Sequence, residues 1–274
     1  MSKISKTLRA LTSLVRNPWL LNHVLAADEA GWQERARAHT RRQLSAQGLP
    51  MAPLSTFLSA ADDTVQPFAF REGGSLPTDL LLLRALARRV PQARYFEIGT
   101  WRGESAANVA AVAASVHTLN LSATELRALG LPERYIELHG FFSCPLPNVT
   151  HLHGNSATYD LAGLQQKFDV IFIDGDHRYE AVRTDTRRVF EHVVGPDTVV
   201  VWHDASRQPG QPRWEVLAGI LDGLPASAAG QLVQVENTLC ALYSPQPVAT
   251  TTPDPLADPQ HWFEVKLQRL PDAL

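Results

Sequence analysis

From about residue 75 to residue 244 the chain alternates two hydrophobic rhythms. Short apolar runs bounded by turn residues read as strands, and between them apolar residues return every three or four positions, as on an amphipathic helix. After the breaker Gly73-Gly74, "SLPTDLLLLRALARRV" predicts a helix. Pro77 suits its first turn and Asp79 complements its dipole. "ARYFEI" is a strand, Glu104 to Ala114 a helix, and "VHTLNL" a strand. Ser122 to Leu129 is a short helix, opened by the capping box Ser122/Glu125 and closed by Gly130. "NVTHLH" follows as a strand. "FDVIFID" and "TVVVWHD" have the unbroken apolar character of strands covered on both faces. The helix between them, Tyr179 to Val193, gathers Tyr179, Val182, Thr186, Val189, Phe190 and Val193 on one face. A helix over Trp214 to Leu221 precedes "LVQVENTLCALYS", two strands around Glu236-Asn237 that end the pattern as an antiparallel hairpin. Strands alternating with helices predict an α/β protein with a doubly wound, mostly parallel sheet.

The ends differ from this centre. Residues 1–74 read as a helical extension and linker, 75–245 as the α/β domain, and 246–274 as a Pro- and Thr-rich tail with a short helix near Trp262 to Leu267. The first residues carry Lys3, Lys6, Arg9 and Arg16 without an acid, and Leu8, Leu11, Leu14 and Val15 recur at helical spacing. Such an arm is expected to dock on its own domain or on a second subunit of a homo-oligomer; contact with an anionic membrane surface is the competing reading. Asn17-Pro18 breaks it. Further helices are expected over Leu20 to Ala27 and, solvated, over Glu29 to Gln47.

Composition narrows the picture. With 274 residues, 45% of them hydrophobic, a substantial core is available, and a net charge of -3 gives no support to nucleic acid as a partner. No apolar run reaches the roughly 18 residues of a membrane span. The two cysteines, Cys144 and Cys240, lie far apart in unlike contexts. The expected setting is cytoplasmic and reducing.

The chemistry concentrates at strand ends, where doubly wound sheets hold ligands. In "RYFEIGTWRGES" a strand ends in Glu97, and Gly99 and Gly103 follow before a helix. Dinucleotide sites want a middle glycine for close pyrophosphate approach; Trp101 stands there instead, which weakens an NAD-dependent oxidoreductase as the alternative. Glu97 is an acceptor suited to a cationic ligand. The turn resembles the first motif of class I S-adenosylmethionine-dependent methyltransferases, in the form E-I-G-x-x-x-G-x-S of small-molecule O-methyltransferases. "FDVIFIDGDHRYEAVRTDT" with "VVVWHDA" is similar to a bacterial group of that class.

The resemblance covers roughly Ser75 to Ser244 and implies a Rossmann-like fold, S-adenosylmethionine as cofactor and a small-molecule acceptor. It places Glu97, Gly99 and Gly103, with Thr100 and Trp101, around the methionine part of the cofactor. Asn120 stands where the family usually has an acid for the ribose hydroxyls, and that departure keeps a non-catalytic binding or assembly module open as an alternative. Asn155 and Ser156 match the region that meets the adenine.

Asp174, Gly175, Asp176 and His177 end one buried strand, and Trp202, His203 and Asp204 end the next. Strand packing demands no charge there, and buried carboxylates are costly unless paired. By resemblance to metal-dependent O-methyltransferases, Asp174, His203 and Asp204 would bind a divalent cation that lowers the pKa of an acceptor hydroxyl. The histidine departs from magnesium's all-oxygen preference and suits manganese, iron or zinc. In a metal-free version His177 or His203 is the general base, with Asp174 beside it. Asp176 is expected to cap the helix that starts near Arg178, and Arg102 to lie exposed after the turn. The long segment Leu131 to Asn148 is a candidate lid or acceptor pocket.

Overall fold

The β2 strand, Arg94–Ile98, lies inside the sheet, third from one edge, where the strand order reverses. The computed structural model describes residues 7, 12, 21–40, 43–45, 47–59, 64–71, 73–254 and 261–270, with side chains of the first helix from residue 31 onward. In chain order the main elements are α1 (Leu21–Thr40), β1 (Met51–Ala52), α2 (Pro77–Arg88), β2, α3 (Glu104–Ala110), β3 (Ser115–Asn120), α4 (Ala123–Ala128) and α5 (Glu133–Glu137). Then come β4 (Val149–His153), β5 (Phe168–Ile173), α6 (Tyr179–His192), β6 (Val194–Trp202), the small ribbon β7 (Ser206–Gln208) and β8 (Gln211–Pro212), α7 (Trp214–Gly223), β9 (Leu232–Val235) and β10 (Ala241–Tyr243).

Eight strands form one sheet in the order β1-β9-β10-β6-β5-β2-β3-β4. β2 pairs in parallel with β3 on one side and β5 on the other, β3 pairs in parallel with β4, and β5 with β6. β10 is antiparallel to both β6 and β9, so the predicted hairpin closes that side. The chain leaves β2 toward one side of the sheet and later returns to the other. This is the switch point at whose carboxyl edge a crevice opens.

Side-chain alternation builds a core on each face. Phe96 and Ile98 point to the layer that holds Ile171, Ile173, Trp202 and the apolar stripes of α6 and α7. Tyr95 points the other way, with Val170, Phe172 and Val201, into α2 and α3. α4 has the predicted box: Ser122 accepts from the Glu125 amide, and Glu125 accepts from the Ser122 amide at 2.8 Å.

The ends depart from expectation. α1 is one continuous helix, since nothing between Ala27 and Glu29 breaks it, and it ends at Thr40. It is not simply solvated: Gln33 meets Glu215, His39 Nε2 lies 2.8 Å from Asp222, and Arg37 lies over Trp214, all on α7. The stretch read as linker contributes β1, a strand too short to show a period, which pairs in parallel with β9 and is bridged by Thr251 of the tail. Residues 261–270 form no helix, and Trp262 is 82% exposed there. A short helix without a surface for its apolar face is marginal. The residues that carried the reading of the N-terminal arm, Lys3, Lys6, Leu8, Arg9, Leu11, Leu14, Val15 and Arg16, lie outside the described residues. No helix among the described residues is long and apolar enough to cross a membrane.

Candidate active site

The glycine turn after β2 forms one wall of a cleft of about 930 Å³. Gly99 has φ +97°, and a Cβ on it would lie within 2.5 Å of the Asp174 carbonyl carbon. Its bareness lets the ends of β2 and β5 touch. Gly103, at φ +77°, would press a Cβ to 2.8 Å from that of Ser143, so its bareness lets the long inserted segment sit on the turn. That segment is fastened by backbone: the Gly140 amide donates to Trp101 O at 2.7 Å, and the Phe142 amide to Arg102 O at 2.9 Å. Trp101 takes a positive φ of 40° and lines the cleft, stacked on Tyr135 at 4.3 Å with His139 edge-on at 5.2 Å. The insertion therefore supplies an aromatic side to the cleft.

Glu97 does not reach this cleft. It is fully buried behind the turn, where Tyr95 donates to it at 2.8 Å and Thr118 at 3.0 Å. Thr100 also faces inward, bonded to Thr118. The reading that gave Glu97 to a cationic ligand missed that residue parity sets where a strand-end side chain points. Burial pushes the Glu97 carboxyl up to about 8, against hydrogen bonds from Tyr95, Ser105 and Thr118 that lower it. The folded state thus holds a proton that the unfolded chain releases from about 4.5 upward. Stability from this group is full below that value and is lost as the pH rises toward about 8. Glu97→Gln is expected to remove the loss, worth about 3–5 kcal/mol. Urea unfolding of both proteins across this range checks it; parallel stability curves would refute it.

Asn120, Asn155 and Ser156 all line the cleft, as does Asp174. Asn120 Nδ2 donates to Leu121 O at 3.1 Å, and Asn155 Oδ1 accepts from the Ala157 amide at 2.9 Å.

The strand-end cluster forms, with its roles redistributed. His203 is buried, and both ring nitrogens are engaged by carboxylates. Nε2 lies 3.0 Å from Asp79 Oδ2, and Nδ1 lies 3.1 Å from Asp174 and 3.7 Å from Asp204. Burial alone would lower its pKa, but Asp174, Asp204 and Asp79 outweigh that and hold it well above the ordinary histidine range. The geometry makes His203 a charged clamp and leaves it no free nitrogen for a metal ion or an acceptor's proton. This corrects both roles expected of it.

His177, the other histidine expected as the base though not as a metal ligand, keeps access to the cleft. It lines the cleft, and its Nε2 lies 3.1 Å from Asp204 Oδ2. Asp204 has a positive φ of 53°. Burial would raise its carboxyl, but His203, His177 and Arg213 together bring it down to about 2. Asp174, His177 and Asp204 each offer a ligand atom, all within 4.8 Å of one another. Among the described residues this trio, and not the set with His203, could hold a divalent cation.

Two further expectations change. Asp176 is not the cap residue of α6: that place is Arg178, whose amide donates to Asp176 Oδ1 at 2.9 Å. Arg102 is buried, paired with Glu104 at 3.1 Å. Sequence reasoning missed Asp79 and Asp185; Tyr135 and His139 line the cleft from the segment Leu131 to Asn148, which it marked as a candidate lid or acceptor pocket. Asp185 had a signal, since an acid interrupts the apolar stripe between Val182 and Val189. Asp79 had none, because an acid in a first helical turn is ordinary.

Residues 96–205 match the family model described as "Methyltransferase domain". Among solved structures the chain is similar to the O-methyltransferase from Bacillus cereus in complex with SAH. Identity there is 17%, over 64% of this chain and 84% of that one, with a TM-score of 0.44. It is also similar to the O-methyltransferase TomG from Streptomyces achromogenes (20%, 62% and 80%, 0.41) and to a putative O-methyltransferase from Klebsiella pneumoniae (18%, 78% and 89%, 0.40). No curated protein matches. Sheet order and terminal hairpin make this a Rossmann-like α/β fold, and its residues 96–205 are similar to a methyltransferase domain.

Proposed function

We propose that the protein transfers the methyl group of S-adenosylmethionine to a hydroxyl of a small molecule, with His177 as the base that takes the hydroxyl proton. The observation that carries this reading is the His177–Asp204 pair, 3.1 Å apart, at a cleft that the glycine turn also lines. The cleft, the close approach at Gly99 and the side chains of Asn120, Asn155 and Ser156 suit a nucleoside-bearing cofactor. The sulfonium supplies an activated methyl group. The chain's part is to hold the acceptor oxygen in line and remove its proton. With Asp204 a carboxylate, an imidazolium formed at His177 is stabilised where it forms. His203, clamped from behind, keeps Asp174 and Asp204 in position. If a divalent cation is bound, Asp174, His177 and Asp204 hold it, and it would lower the pKa of the acceptor hydroxyl.

Transfer of a labelled methyl group from S-adenosylmethionine to a panel of hydroxylated compounds tests the reading. His177→Ala is expected to lower turnover by roughly 10²–10⁴-fold, with cofactor affinity within a few-fold of the parent. Unchanged activity after chelation supports the base. Activity lost to a chelator and restored by a cation makes His177 a ligand instead. Wild-type turnover in the variant, or no binding of S-adenosylmethionine by the parent, would refute the proposal.

A further inference from the structure

Of the nine large apolar side chains that stand exposed among the described residues, five fall within residues 261–270: Trp262, Phe263, Val265, Leu267 and Leu270. Single apolar side chains scattered over a surface are ordinary, whereas a concentration of them marks a contact. The segment is neither helical nor paired as a strand among the described residues. Its sequence, "WFEVKLQ" from Trp262 to Gln268, has the period of two of a strand. Phe263, Val265 and Leu267 belong to one side, and Trp262, Glu264, Lys266 and Gln268 to the other. Glu264 and Lys266 do share a side: their charged ends meet at 3.3 Å, both largely exposed. The segment is held at its start. His261 Nδ1 lies 3.1 Å from Glu236 Oε2, in the turn between β9 and β10, and its Nε2 lies 3.3 Å from Ser55 Oγ. An anchored extended segment with an apolar side is a template for a further strand.

The order of its charges selects the partner. Laid antiparallel on its own copy, with Val265 opposite Val265, the segment sets Phe263 opposite Leu267 and Glu264 opposite Lys266, each pair occurring twice by symmetry. Apolar then meets apolar on one side, and acid meets base on the other. A parallel, in-register pairing would set Glu264 against Glu264 and Lys266 against Lys266. A slip of one residue would set apolar positions against charged ones. A ribbon of two strands is marginal by itself, so the association should be reversible and dependent on concentration.

We propose that residues 262–268 pair as an antiparallel strand with the same residues of a second copy, making the tail a dimer contact of this chain. Sedimentation equilibrium of the full chain over a range of concentrations tests it. The parent is expected to show a reversible equilibrium between monomer and dimer. Glu264→Lys turns two attractive cross-strand pairs into two repulsive ones and should weaken the dimer about tenfold. Adding Lys266→Glu to that variant restores opposite charges in the same register and should bring the parent's constant back. Val265→Lys sets like charges against each other on the apolar side and should abolish the dimer. All three positions are exposed, so the fold is not at stake in any of these variants. A parent that stays monomeric overturns the proposal; if that monomer also sediments with anionic vesicles, the apolar side meets a lipid surface instead. A dimer that survives Val265→Lys, or a charge reversal that the second reversal does not rescue, places the contact elsewhere and overturns the proposal as well.

Discussion

Gly99→Ala is expected to abolish ligand binding and to lower stability by roughly 2–5 kcal/mol. About 1–2 kcal/mol comes from a side chain forced to positive φ, and the rest from overpacking. The clash is internal. The added Cβ meets the backbone of Asp174, which has no rotamer to yield, so β2 and β5 must part where the cleft begins. Gly130→Ala provides the comparison. Gly130 has φ +78° but nothing within 4 Å of the added carbon, so it should show only the conformational cost and bind normally. A thermal melt and a binding titration on both variants separate the effects. If Gly99→Ala binds S-adenosylmethionine like the parent, the close approach at the turn does not build the site.

The second large effect belongs to His203. His203→Ala is expected to cost about 3–5 kcal/mol, because it leaves Asp79, fully buried, facing Asp174 without the cation between them. The loss should depend on pH in a known direction. The folded protein holds the His203 proton more tightly than the unfolded chain does. The clamp's stabilisation is therefore full below the ordinary histidine pKa of about 6.5 and is lost as the pH rises through the elevated folded value. The gap between parent and variant should be widest in mild acid and shrink toward alkaline pH, which denaturant unfolding at several pH values would show. A gap that widens with pH would mean that His203 is neutral and the clamp reading is wrong. Asp79→Asn distinguishes further: it keeps shape but removes one charge, and should cost less than His203→Ala.

The strand ends were legible in the sequence because their signals are local. An apolar run that stops at an acid, followed by two glycines at four-residue spacing, marks Gly99 and Gly103 whatever surrounds them. Asp174, His177, His203 and Asp204 declared themselves the same way, as charge at the ends of strands whose packing needs none. The division of labour among them was not legible. His203 and His177 follow similar strands and have the same chemistry. Only the arrival of Asp79 from α2, 124 residues earlier in the chain, ties up the second nitrogen of His203 and leaves His177 facing the cleft. Glu97 shows the same limit at shorter range, since the turn motif is plain while the side chain's direction depends on its parity in β2.

What the chain's own pattern dictated was the alternation of strands and helices, the parallel sheet with its closing hairpin, the glycine turn and the set of ionisable residues gathered at one edge. Those follow from hydrophobic periodicity and from turn chemistry, which act over a few residues. Packing decided which carboxyls are buried, which imidazole is clamped, where the aromatic insertion lands against Trp101 and that Asp185 opens onto the cleft. Burial and charge pairing depend on every element that comes near, and residues far apart in the chain acquire those neighbours only when the sheet has closed.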